Sequence, residues 1–386
     1  MGLMIKVGLL KADKYDKYLK DKINHAVELV GGFGSVVKSG DRVLLKPNFL
    51  VAKAVETATN THPDFIAAVV EILSDYNCKI AIGDSPMFGT AYGVVKKLGL
   101  DQKLKKYDVE YLEFKENKPV SQQEDGLKPR KYRDLCTATV LQEFDRIINL
   151  PKLKTHAQMG ITLATKNLFG CVAGKVKLKW HMVAGSIHNF ARLLVEVSQT
   201  VNPDLNILDG IIGMDGNGPA NGRPRKTKVI LAGKNCIALD RVVVELIGKN
   251  PSRFPIFKAA DDLSIPGTRL EDICILGDSI EECRIKGFKV ISIFPADFIG
   301  VHFLGLPFKP LFDQRMVVKH KNCIMCGRCI EHCLSKAIRK EDGIVIDHDK
   351  CIKCCCCQEG CPTNAIHIYT PPLGTLVNKI RSGRSR

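Results

Sequence analysis

Two stretches near the C-terminus, KNCIMCGRCIEHCLSKAI (residues 321–338) and DKCIKCCCCQEGCPTNAI (residues 349–366), align without a gap at an offset of 28 residues. The alignment pairs Cys323 with Cys351, Cys326 with Cys354, Cys329 with Cys357 and Cys333 with Cys361, and it continues through Ala337–Ile338 and Ala365–Ile366. An internal repeat of this kind implies two pseudo-symmetric halves, each a tight loop, a short helix and a strand. The chain has 386 residues and 16 cysteines, of which ten fall between Cys323 and Cys361. That is the density of a metal site.

The spacing C-x2-C-x2-C-x3-C has a mechanical reason. Three cysteines so close together wrap a loop around three corners of one iron–sulfur cubane, while the fourth, on the following helix, reaches the other cluster. The expected ligand sets therefore cross over. Cys323, Cys326, Cys329 and Cys361 would hold one [4Fe-4S] cluster, and Cys351, Cys354, Cys357 and Cys333 the other. Zinc would leave thiols over from eight regularly spaced cysteines, and a reducing compartment disfavours disulfides. From Val317 to Tyr369 the sequence resembles bacterial-type two-cluster ferredoxins. It departs from them at Leu334, where a proline usually follows the fourth cysteine; the second half keeps it as Pro362. Cys355 and Cys356 align with Gly327 and Arg328, so they read as spare thiols, either tolerated in an organism living without oxygen or tuning potential through weak contacts.

The rest of the composition is ordinary. Hydrophobic residues make up 45% and charged residues 25%, which excludes disorder and a coiled coil. The opening run MGLMIKVGLLKADK is too short and too charged for a secretory signal, so a cytoplasmic location is expected. No stretch of 18 uncharged apolar residues marks a membrane span; Ile291 to Phe308 comes nearest and is broken by Pro295, Asp297, His302 and Pro307. That segment reads as a buried connector or as a docking patch for a membrane surface or a partner. The formal net charge is +16, and two four-thiolate clusters would bring it to about +12. No nucleic-acid-binding signature accompanies the basic charge, and the terminal KIRSGRSR reads as a solvated tail.

Residues 1–285 alternate short apolar runs with amphipathic helices, the pattern of a largely parallel sheet with covering helices. Strands are expected at Ile5–Leu10, Arg42–Lys46, Lys79–Ile82, Arg146–Leu150, Leu205–Leu208, Lys228–Ala232 and Ile273–Leu276, and helices at His62–Tyr76, Ile187–Val201 and Ile237–Gly248. Glu116–Arg133 reads as a polar excursion. The organisation is thus an α/β domain (1–285), an apolar connector (286–313), a small α+β ferredoxin-type domain (314–370) and a basic tail (371–386).

Three polar motifs fall where strands end: LLKPNFL with Lys46 and Asn48, IGDSP with Asp84, and LPKLKTHAQMGITLATKNLFG with Lys152, Lys154, His156, Lys166 and Asn167. Ligands of open α/β sheets bind beyond the carboxyl ends of strands. These residues either form one cationic cleft for an anionic ligand or are solvated turn residues. In the first case Lys154 and His156 are the catalytic candidates, His156 as a proton donor, and Lys46, Asn48, Asp84, Lys152, Lys166 and Asn167 bind the ligand or an organic cofactor. The run GMDGNG lacks dinucleotide-binding spacing and reads as a tight turn or a loop approaching a ligand. His181 and His188 lack the partners of a metal site.

Together, LLKPN, the HP that follows, IGDS, LPKLKTH, KNLFG, DGIIGMDGNGP and ALDRV (Ala238–Val242) resemble the family called domain of unknown function 362, whose members frequently carry ferredoxin modules. The resemblance transfers no reaction. Three functions stay open: an iron–sulfur oxidoreductase relaying electrons from a soluble donor or redox partner protein to the N-terminal cleft, an electron carrier with a docking domain, and a redox-sensing or structural iron–sulfur protein.

Overall fold

The computed structural model describes residues 4–120, 132, 134–174, 176–291 and 314–372. The chain starts with β1 (Ile5–Lys11) and α1 (Leu19–Glu28), then β2 (Arg42–Pro47), α2 (Pro63–Asp75) and β3 (Lys79–Asp84). Pro63 suits the first helical turn, and His62 accepts the Asp64 amide hydrogen on Nδ1 at 3.2 Å. α3 (Ala91–Lys97), capped by Thr90, and α4 (Leu100–Lys103) lead to β4 (Val109–Glu113), and β5 (Asn117–Pro119) pairs antiparallel with β6 (Cys136–Ala138). Next come β7 (Arg146–Leu150), β8 (Lys152–His156), β9 (Gly160–Thr162), α5 (Ala164–Asn167), α6 (Val176–Ala184) and α7 (Ile187–Val201). β10 (Leu205–Asp215), β11 (Arg223–Gly233), α8 (Cys236–Leu246), α9 (Pro255–Asp262) and β12 (Ile273–Gly277) complete the domain.

Among the described residues the main sheet has ten strands, in the order β12-β1-β11-β10-β7-β2-β3-β4, with β8 beside β10 and β9 on β8. Most neighbours are parallel, as expected. β11 runs antiparallel to both β1 and β10, and β9 antiparallel to β8. Side-chain alternation makes each central strand serve two cores. In β2, Leu44 joins the layer under α7 and α8, while Val43 and Leu45 join the layer under α1 and α2. All seven expected strands are present, several longer than expected. β4 escaped the sequence reading because VEYLE is half charged and half buried at the sheet edge.

Residues 314–372 form two small antiparallel pairs. β13 (Arg315–Val318) pairs with β16 (Ile366–Tyr369), and β14 (Ile338–Lys340) with β15 (Ile344–Ile346). The sequence repeat is also a backbone repeat. One-turn helices occupy Arg328–Glu331 and Cys356–Glu359, and left-handed residues recur at Met325 and Lys353, Gly327 and Cys355, and Lys336 and Asn364, each pair 28 apart. The connector beyond Ile291, most of the polar excursion and nearly all of the basic tail lie outside the described residues.

Candidate functional site

The rim at the carboxyl ends of the strands gathers the polar motifs. Lys46, at the end of β2, forms a buried ion pair with Asp84, at the end of β3, at 2.8 Å. The Asp84 carboxylate also accepts the Phe49 and Ser85 amide hydrogens at 2.9 and 2.7 Å. Gly170 packs onto this pair so closely that a Cβ would lie 2.2 Å from Asp84 Oδ1 and 2.7 Å from Lys46 Nζ, so the glycine of KNLFG is required by contact. A chain of carboxamides runs under the rim. Asn48 donates to Asn167, Asn167 to Asn149 and Asn149 to Asn206, at 2.7 to 2.8 Å, and Asn206 ends the chain on the Gly233 carbonyl.

Strand β8 sorts its side chains by parity. Lys152, Lys154 and His156 share one face; Leu153 enters the core on the other, and Thr155 donates to the Gly216 carbonyl. Lys152 does not reach the cleft as an open cation, because Asp209 takes its ammonium at 2.7 Å and Tyr15 lies 3.0 Å away. Lys154 donates to the Thr59 carbonyl at 2.6 Å, and burial, then the neighbouring Lys166, pushes its pKa well below the usual value. Lys166, on α5, has no hydrogen bond or ion-pair partner among the described residues, and burial lowers its pKa too. Lys177 donates to the Ser85 carbonyl, and burial pushes its pKa down to about 8. α5 is held in place from α8, where Asp240 of ALDRV accepts the Ala164 and Thr165 amide hydrogens at 2.8 and 3.1 Å.

His156 is fully buried and neutral. Its Nδ1 accepts the Gln158 and Met159 amide hydrogens at 3.1 and 3.2 Å, so the ring proton sits on Nε2. Burial, reinforced by Lys166, drops the ring pKa to about 4. At neutral pH the ring is therefore uncharged and holds no proton beyond the one on Nε2. Its Nε2 lies 2.9 Å from Oε1 of Glu359, off the N–H line, so the contact is electrostatic rather than an aligned hydrogen bond. Burial alone would raise the Glu359 pKa, but His156, Lys166 and His181 outweigh it and hold the carboxyl at about 2. A cavity of about 60 Å³ remains among Asn48, Asp84, Lys154, Lys166, Lys177 and Glu359.

Glu359 belongs to the cysteine-rich module, which closes over the rim. Gln358 donates to the carbonyls of Asn217 and Gly218, Asn221 donates to those of Gln358 and Cys361, and Asn217 donates to Asn364. Lys53 braces the same loop through Ala220 and Asn221. The GMDGNG run thus continues into a docking loop. Gly218 is needed there, since a Cβ would fall 2.4 Å from the Thr155 carbonyl oxygen. Phe88 meets His332 edge-on at 4.6 Å between ring centres.

Within the module, one cavity is lined by Cys323, Cys326, Cys329 and Cys361, with Ile324, Gly327 and Pro362. Burial raises the Cys357 thiol pKa, helped by the charges of Cys354, Cys351 and Cys333 and then of Cys329, so Cys357 is in electrostatic reach of the other three of its expected set and of one cysteine of the first. The Ala337 and Ala365 amides donate to the Cys333 and Cys361 sulfurs at 3.3 and 3.1 Å, one for each half of the repeat. Among the described residues no three His, Cys, Asp or Glu side chains are placed to hold a single metal ion. His188 pairs with Asp262 at 3.1 Å, whereas His181 turns inward against Phe190. Cys355 and Cys356 are buried. Cys355 occupies the left-handed position of Gly327, which disfavours a side chain by about 1–2 kcal/mol. Cys355→Gly relieves that strain but vacates a buried site, so the expected outcome is unchanged metal content; a loss of iron would assign the thiol a ligand role.

A larger depression of about 350 Å³, lined by Lys6, Ser198, Asn202 and Lys234, lies at the amino ends of the strands, with no convergence of buried charge. Sequence reading missed Glu359 and Lys177 at the rim, and weighed His181, which lies within electrostatic reach of Glu359, only as a metal ligand. Among the described residues no helix is long and apolar enough to cross a membrane.

Fold and rim together define a mixed α/β domain whose carboxyl edge is capped by a cysteine-rich module compatible with metal-cluster binding. The chain belongs to the family described as Domain of unknown function (DUF362), whose model matches residues 43–245. It is 38% identical over 267 residues to the thylakoid-associated protein sll1697 of Synechocystis, a match covering 69% of this chain and 81% of that protein. The structure of the lactate racemase apoprotein from Thermoanaerobacterium thermosaccharolyticum overlaps 61% of this chain and 55% of its own, with a TM-score of 0.38 and 12% identity.

Proposed function

We propose that the chain is an iron–sulfur redox protein that delivers electrons to an anionic ligand held in the rim cavity. Cys323, Cys326, Cys329 and Cys361 would hold one [4Fe-4S] cluster and Cys351, Cys354, Cys357 and Cys333 the other. Such clusters, when bound, accept and release single electrons. The residues fit the group: left-handed positions curl each loop, and Ala337 and Ala365 supply amide donors to sulfur. A reducing, cytoplasmic setting belongs to the same reading, since free thiolates persist there as ligands.

The observation that carries the reading is the one-turn helix Cys356–Glu359. It bears Cys357 of the second ligand set, and two residues later places Glu359 against His156. His156 and the lysines then polarise and neutralise an anionic ligand without supplying protons. A carrier reading, in which the α/β domain only docks the module, draws on the exposure of Cys326 and of Ile324 (62%). Anaerobic reconstitution is expected to give about eight iron and eight sulfide per chain. Stoichiometric zinc without sulfide would end the iron–sulfur reading. The carrier gains if Lys154→Ala leaves electron delivery to the host's final acceptor intact.

A further inference from the structure

The rim holds more positive than negative charge. Lys154, Lys166 and Lys177 line the cavity and Lys46 lies behind it, against the carboxylates of Asp84 and Glu359. Glu113, beyond Lys177, is spent capping the Ala91 amide, and even counting it leaves one cation unmatched. Lys166, half-buried, is the clearest case: Glu359 acts on it at longer range, but it makes no hydrogen bond or ion pair among the described residues. A confined cation with too little counter-charge is costly, so such a site draws an anion. Glu359 already brings a carboxylate to this edge of the cavity, beside His156.

A second observation is independent of charge. Asn48 lines the cavity, and its Oδ1 is buried without a partner. That atom's identity is fixed from a distance. The Gly233 carbonyl can only accept, so Asn206 must turn its amide nitrogen there and its oxygen toward Asn149. The same choice passes through Asn167 to Asn48, which is left presenting an oxygen. A buried acceptor beside unmatched cations calls for a ligand that is anionic yet carries a donor. An ammonium donor would add to the positive surplus; a hydroxyl would not. The cavity volume, about 60 Å³, admits only a few heavy atoms.

We propose that the rim cavity binds a small hydroxycarboxylate, its carboxylate neutralised by Lys154 and Lys166 and its hydroxyl donating to Asn48 Oδ1. The assignment rests on the reading of the rim as a ligand site and names the ligand class. It is tested by calorimetric titration of the full chain, purified anaerobically, with glycolate, acetate, glycine and inorganic phosphate. Glycolate should bind saturably and about tenfold tighter than acetate, the difference one hydrogen bond makes, and tighter than glycine. Asn48→Ala should abolish the preference over acetate, and Lys166→Met should weaken glycolate and acetate at least about tenfold, with thermal midpoints near that of the parent. Equal binding of glycolate and acetate, tighter binding of phosphate, or no saturable binding overturns the proposal, and the comparison among probes on the unmodified chain needs no variant. Iron and sulfide are counted on the same sample, so a failure of the cluster assignment is seen separately from a failure of ligand binding.

Discussion

Cys333→Ser, reconstituted anaerobically, is expected to fall from about eight to about four iron per chain, and the cluster it loses is the one held by the second loop. Cys333 lies in the first loop's sequence but in reach of Cys357, whereas Cys361, in the second loop's sequence, lines the cavity of Cys323, Cys326 and Cys329. Double variants make the crossing visible. Cys333→Ser with Cys354→Ser removes two ligands of one cluster, so it should still retain about four iron; Cys333→Ser with Cys326→Ser strikes both clusters and should retain almost none. If the pairings behave the other way round, each loop keeps its own fourth cysteine and the assignment is reversed.

Removal of the Glu359 carboxylate should have the second large effect. Glu359→Ala leaves Lys154, Lys166 and the His156 N–H facing a space whose remaining carboxylate, Asp84, is already paired with Lys46, a loss of about 3–5 kcal/mol. The expected outcome is earlier urea unfolding and faster amide exchange along the Asn217–Asn221 docking loop, with partial recovery in acetate, which can refill the vacated carboxylate position. An unchanged unfolding curve, or recovery by chloride as readily as by acetate, would show that Glu359 is a bystander. Acid should work in the same direction through His156. Above its ordinary pKa of 6.5 the ring is neutral folded or unfolded; as the pH drops toward the folded value of about 4, only the unfolded chain takes the proton. Stability is thus complete above about pH 6.5 and is lost between there and about pH 4, on the order of 3 kcal/mol in all.

Local pattern made much of this arrangement legible. The 28-residue repeat located the module, and the ends of β2, β3 and β7 located Lys46, Asp84 and the β8 face. What stayed hidden depends on partners distant in sequence. Parity put Lys152 on the face of Lys154, but Asp209 and Tyr15, which neutralise it, lie 57 and 137 residues away. β11 reads as a strand from its apolar run, yet its direction is set by the short connection from β10, which puts an antiparallel strand inside the largely parallel sheet that was expected. Glu359 gave no signal, because its repeat mate Glu331 is the same residue in an exposed position; only docking of the module buries one and leaves the other in water.

That difference between Glu331 and Glu359 extends to their neighbours. Residues 355–360 are all buried, while none of the equivalent residues 327–332 is. A duplicated unit is indifferent to which end is which until something is laid against one end. Here the α/β domain covers the second half and leaves the first, with Cys326, to solvent. The module thereby acquires a polarity that its own sequence lacks, one half open to solvent and the other sealed against the sheet.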